Sequence, residues 1–144
     1  LSPSDYVYIT GVQLELGKVA TPFEHRSYGE ELALCQRYYY AHVDGADQTI
    51  GAGANYSSSI LTVGVNFPVT MRAEPTAIYP DVTNGFTFYR NGGNDLFDTF
   101  ATVASPSLNA AFMDVTSGIS GTAGHGGRVK TAAAGSYLHF KAEL

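Results

Sequence analysis

The run Tyr89-Arg-Asn-Gly-Gly-Asn-Asp95 gathers an aromatic ring, a guanidinium, amides and a carboxylate around a glycine turn. That mixture suits a hydroxyl-rich ligand such as a glycan, which stacks an apolar ring face on an aromatic side chain and offers its hydroxyls to bidentate polar groups. Tyr89, Arg90, Asn91, Asn94 and Asp95 are therefore the expected ligand contacts. Asp81, Thr83 and Asn84, in the neighbouring polar turn, stand as further contacts. The plainer reading is a polar hairpin loop with no ligand. Loops nevertheless carry function more often than core positions do.

Reactive chemistry finds little support. Asp81, Asp95, Asp98 and Asp114 are available as acid and base, but glycosidases set two such groups roughly 5–9.5 Å apart, which a sequence does not fix. Asp95 and Asp98 also lie in a turn-like run where Asn and Asp are ordinary. No nucleophile elbow of the Gly-x-Ser-x-Gly type occurs. His25, His42, His125 and His139 show no paired spacing, and His125 in its glycine loop is a metal ligand only if a three-fold axis multiplies it. The Gly118–Gly127 segment lacks the lysine of a phosphate-binding loop and reads as a flexible surface loop. No enzyme activity, cofactor or metal is expected.

Composition narrows the partners. The net charge is −5 without a run of Lys or Arg, so neither nucleic acid nor an anionic membrane surface is expected. No apolar run is long enough to cross a membrane, so no membrane insertion is expected. Charged residues make up 15% against 44% hydrophobic ones, below the ~25% charged that is usual, which suits a chain with extensive buried interface. Cys35 is the only cysteine, which excludes an intrachain disulfide. Leu1 is not an initiator Met and no leader pattern is present, so the chain is expected to be a fragment or a processed product.

The elements that would position these residues are mostly strands, because the dominant hydrophobic period is two. Leu61, Val63, Val65 and Phe67 alternate with Thr62, Gly64 and Asn66, and Pro68 closes that strand. Further strands are expected over 38–43, 50–54, 76–79, 86–90, 99–103, 108–115, 127–132 and 137–144. In the last, Leu138, Phe140, Ala142 and Leu144 face one way, and Tyr137, His139, Lys141 and Glu143 the other. Asp44-Gly45 is a turn. Many short strands at close spacing predict an all-β antiparallel sandwich or jelly roll. At the N-terminus Tyr6, Tyr8, Val12, Leu14 and Leu16 share one side of a predicted strand, opposite Asp5, Gln13 and Glu15. Thr21-Pro22 ends it in an extended connector.

One short helix interrupts this pattern. Ser27-Tyr-Gly-Glu30 is a capping box, so the helix starts at Tyr28, with Glu30 and Glu31 at its positive end and Arg37 late. Tyr28, Leu32, Cys35 and Tyr39 fall on one face. So short a helix is marginal alone and needs something to pack on. The chain's own sheet would serve, and so would two further copies of the chain. On this stripe Cys35 reads as a small core hydrophobe. Tyr38, Tyr39 and Tyr40 crowd the exit, where an interface suits them better than a ligand.

The whole stretch from Ile9 through Pro22, the capping box and Cys35 to Tyr39 resembles the junction near the C-terminus of bacteriophage and prophage tail-fibre proteins. The runs Phe67-Pro-Val-Thr-Met-Arg-Ala-Glu-Pro-Thr76 and Tyr137-Leu-His-Phe-Lys-Ala-Glu-Leu144 are similar to the same family, with Lys141 a departure where an acidic residue is expected. Nothing between roughly 79 and 128 carries the resemblance, and a receptor-binding tip varies there.

The resemblance implies a strand and connector over 1–26 that ends a preceding domain, a collar helix over 27–40 and a tip domain over 41–144. It implies a homotrimer with Tyr28, Leu32, Cys35, Tyr38 and Tyr39 at the subunit interface. The tip would be made in the bacterial cytoplasm and carried on the virion, binding a surface glycan or an outer-membrane protein. Two other functions stay open: a spike domain that depolymerises polysaccharide, and a trimerisation or folding cap without receptor contacts.

Overall fold

The computed structural model describes residues 8–104 and 106–142. Among them are one helix, α1 (Tyr28–Gln36), and ten strands: β1 (Tyr39–Asp44), β2 (Thr49–Ser57), β3 (Ile60–Asn66), β4 (Thr76–Ile78), β5 (Phe86–Arg90), β6 (Gly93–Phe97), β7 (Thr102–Ala104), β8 (Ala110–Val115), β9 (Gly126–Thr131) and β10 (Tyr137–Lys141). The protein is all-β with antiparallel pairing throughout. Three strands form a small sheet in the order β1-β10-β4, and seven form a large one in the order β6-β5-β9-β2-β3-β8-β7.

Alternation along the strands decides what each sheet buries. Leu61, Val63 and Val65 of β3 point inward, as do Ala111, Met113 and Val115 of β8 opposite them. Leu138 and Phe140 do the same from the small sheet, followed by Ala142. All of these meet in one cluster, and the Phe67 and Phe140 rings join it edge to face with centroids 5.0 Å apart. Each large side chain so enclosed contributes roughly 1.5–3 kcal/mol. Residues 143 and 144, expected to extend β10, lie outside the described residues.

A second group of rings closes the far end of the core. Phe86 and Phe97 stack at 5.5 Å, Phe100 meets Phe86 at 4.9 Å, and Tyr79 donates its hydroxyl to the Phe100 carbonyl at 2.6 Å. That bond satisfies the one polar atom Tyr79 brings inward.

One expectation at the N-terminus fails. Asp5 and Tyr6 lie outside the described residues, but residues 8–27 contain no strand. An unpaired strand is not stable by itself, and residues 8–27 pair with no strand among the described residues. The segment instead folds back through its polar side chains: the Thr21 backbone amide donates to Glu15 at 2.6 Å, and the Glu24 amide donates to Gln13 at 2.8 Å. Its apolar side is left bare, with Val12 75% and Leu14 100% exposed.

The helix begins where the capping box places it. The Glu30 amide donates to Ser27 Oγ at 3.3 Å, and the Ser27 amide donates to the Glu30 carboxylate at 2.9 Å. It stops at Gln36, short of the expected end at residue 40, because Tyr39 is already hydrogen-bonded in β1. Tyr39 therefore leaves the helical stripe.

Candidate functional site

The pleat of the β5–β6 hairpin splits the expected ligand contacts into two sets. Tyr89 pairs with Asn94 on the outer face, whereas Phe88 pairs with Asp95 on the inner one. The tight turn is Asn91-Gly92, with Gly92 at φ 91°, and Gly93 already belongs to β6. Asn-Gly is the pair that a two-residue hairpin favours.

Arg90 and Asp95 go inward, and this corrects their expected role. Their side chains are only 10% and 9% exposed and form an ion pair at 3.1 Å. Asp95 also accepts from the Ser120 amide at 3.2 Å and the Ser120 hydroxyl at 3.1 Å, and Arg90 donates to the Ser120 carbonyl. With these partners filling both groups, they act as a staple rather than as a ligand contact.

The staple also corrects the reading of 118–127 as a free loop. Ser120 is held by the pair, Ile119 packs on the core, and Gly118 lies so close to β6 that a Cβ there would sit 2.5 Å from the Leu96 carbonyl oxygen. Gly124 donates to Asn55 at 2.8 Å, and Asn55 donates to the His125 carbonyl at 2.9 Å. The last two residues of the run, Gly126 and Gly127, are part of β9.

Asp81 and Asn84 are exposed but lie at the opposite end of β5 from the turn, so the five-residue strand separates them from Asn91 by roughly 16 Å. Asn84 sits at φ 53° and its amide donates to the Asp98 carboxylate at 2.5 Å, which explains a polar turn without any ligand. Asp114 likewise accepts from Thr62 at 2.6 Å. Among the described residues no group of three or more His, Cys, Asp or Glu converges as metal ligands would.

What gathers on the outer face is Tyr89 with two residues that the hairpin itself does not supply. Arg128 is the cross-strand partner of Tyr89, and its guanidinium carbon stands 5.2 Å from the ring centre; Lys130 Nζ is 4.8 Å from the same centre. Thr87 and Leu96 form the next row, with Lys130 beside Thr87. A cleft of about 270 Å³ opens there between Asp47, Thr87, Tyr89, Asn94, Leu96 and Lys130. Lys130 is ion-paired with Asp47 on its rim. That contact, followed by the charge of Lys130 and more weakly that of Arg128, holds the Asp47 carboxyl below its usual value.

Sequence reasoning missed Arg128 and Lys130. Their spacing around inward Val129 was a usable signal, since two basic residues at i and i+2 of a strand share its outer face. Nothing local, however, tells that β9 lies beside β5.

The expected interface residues are open in the single chain. Tyr28 is 82% exposed and Leu32 40%, Cys35 is exposed, and α1 buries none of its residues against the described chain. The reading of Cys35 as a core residue therefore does not hold within one copy, because no sheet covers that helix face. Tyr38 carries Arg72 over its ring at 5.3 Å, and the Tyr39 hydroxyl is 2.6 Å from His139 Nδ1. A wider cleft of about 660 Å³ separates α1 from residues 69–70. No helix among the described residues is long and apolar enough to cross a membrane.

Fold and site together define an all-β protein with a polar and aromatic outer face. No family model, curated protein or solved structure matches the chain.

Proposed function

We propose that this chain is the receptor-binding tip of a phage tail fibre, a homotrimer that attaches to a glycan on the bacterial surface without cleaving it. The observation that carries the reading is the outer-face constellation of Tyr89, Asn94, Arg128 and Lys130. It sets an exposed ring among hydrogen-bonding groups on a rigid sheet. Three such sites on one assembly would turn weak single contacts into strong attachment. A jelly-roll arrangement of the two sheets belongs to this reading, as does a place on the virion after assembly in the host cytoplasm.

Bare apolar residues support the trimer. Among the described residues Val12, Leu14 and Leu16 on the connector and Tyr28 on α1 lie open, and Leu32 and Leu34 on α1 are partly exposed. Exposed apolar side chains in this number suit a surface that another copy covers. The same observation favours a second reading, in which the chain serves mainly as a trimerisation cap.

Binding of the labelled chain to host cells, with and without Tyr89→Ala, tests the choice. Loss of attachment with the assembly intact supports the receptor tip. Undiminished attachment would leave the cap as the better account.

A further inference from the structure

We propose that the cleft beside Tyr89 takes an anionic saccharide, a sugar unit bearing a carboxylate or a phosphate. Tyr89 is its aromatic wall, Lys130 the cation that lines it, Arg128 a second cation beside it over the Tyr89 ring, and Asn94 the hydroxyl ligand. The inference rests on the glycan-binding reading above and adds the chemical class of the ligand.

The charge arrangement carries it. The chain holds only eight Lys and Arg and is acidic overall at −5, yet two of those cations flank one exposed ring. Arg128 has no carboxylate within ion-pair distance among the described residues, and Lys130 has only the rim residue Asp47. Asp47 is also the only carboxylate lining the cleft. A positive surplus therefore remains. Stacking cations on a tyrosine stabilises a sheet face modestly, but it leaves the Arg128 N–H donors, and those of Lys130 that do not reach Asp47, able to bind an anion.

A neutral sugar laid on Tyr89 would strip water from Arg128 and return no counter-charge. An acidic one would replace that water with charge-assisted hydrogen bonds, about twice as strong as neutral ones. Size agrees. At about 270 Å³ the cleft falls just below the roughly 300–1,000 Å³ of ligand pockets and suits a single sugar residue with its substituent. A pair of cations rather than a stripe also argues against a nucleic-acid backbone.

Asp47 has a role in this arrangement. Its carboxylate occupies Lys130 while the cleft is empty, and the ligand's acid group competes with it. Removing that charge should strengthen binding, whereas removing Arg128 should weaken it, and a merely structural cluster would show neither change.

The test uses the full chain in calorimetric titrations at low salt against trigalacturonate, its fully methyl-esterified form, mannose 6-phosphate and mannose. The acidic ligands should bind about tenfold or more tighter than their neutral counterparts, the difference that one charge-assisted contact provides. Arg128→Gln should erase that preference, Arg128→Lys should retain much of it, and Asp47→Asn should raise acid affinity. Preference for trigalacturonate alone assigns a carboxylate, and for mannose 6-phosphate alone a phosphate; either result supports the inference. Equal binding of acid and neutral forms, or an unchanged preference in Arg128→Gln, overturns it while leaving glycan binding standing. Binding of none of these saccharides, together with no attachment to host cells, overturns the glycan reading itself.

Discussion

Arg90 closes on Asp95 across the β5–β6 hairpin, with Nε 3.2 Å from one carboxylate oxygen and Nη2 3.1 Å from both. The pair ties the hairpin to Ser120 and turns a surface loop into part of the wall. Asp95→Ala would leave a guanidinium enclosed without its counter-charge, a change that destabilises by about 3–5 kcal/mol. Replacing both residues with apolar ones of similar volume should lose much less. Urea midpoints of the two variants decide the matter, and equal losses would show that the pair is not coupled.

His42 gives the fold a sensitivity to mild acid. Its Nε2 is 2.7 Å from the Ile50 carbonyl, which only accepts, so Nε2 carries the proton and Nδ1 accepts from the Tyr40 hydroxyl at 3.1 Å. Burial holds this imidazole below its ordinary value of 6.5. As pH falls below that value the unfolded chain takes up a proton that the folded chain does not, so stability declines until the folded imidazole also protonates. Glu15, Glu30 and Asp47, all held low, act in a separate window below 4.5. Urea midpoints should fall between about pH 7 and pH 5 and be nearly flat there in His42→Gln.

Gly127 sits where β9 presses on β5. A Cβ at this position would lie 2.1 Å from the Tyr89 carbonyl oxygen and 2.7 Å from the Phe88 ring. Gly127→Ala should therefore cost at least about 1–3 kcal/mol, the usual range for overpacking, and shift Tyr89 away from Arg128. Thermal melting and saccharide titration should both respond; a melting point unchanged from the parent would contradict the close approach.

Leu32 is half open on α1 in the single chain. In a trimer covered along this face, Leu32→Asp should dissociate the assembly to single 15.3 kDa chains in light scattering. An aspartate tolerated without any change in mass would place the interface elsewhere.

Phe88 is fully enclosed beneath the site. Truncation to Ala should cost roughly 3–5 kcal/mol, read from the urea midpoint. A loss under 1 kcal/mol would mean that the surrounding rings collapse into the space.

Most strands were legible because their inward residues repeat every second position, as Leu61, Val63 and Val65 do. The capping box placed the start of α1 for a similar reason: its two hydrogen bonds are local. β6 was not legible, since Gly93-Asn-Asp95 reads as turn chemistry and only its pairing with Tyr89 and Phe88 makes it a strand. Arg90 and Asp95 left the expected ligand set for the same cause, because a polar residue's side of the sheet depends on register. Arg128 and Lys130 join Tyr89 through strand pairing between segments distant in sequence, which no local spacing reveals.

Tyr39 pairs with Lys141, so β10 fills the middle of the small sheet from the far end of the described chain. Such distant pairing must close a large loop before it gains any contact, and chains dominated by it fold in milliseconds to seconds. While β10 is away, β1 and β4 each lack their neighbour and present open edges, the state in which sister chains in a crowded cell stick to one another. Acquisition of the native state is thus expected to be slow and concentration-sensitive, with help from chaperones raising the yield.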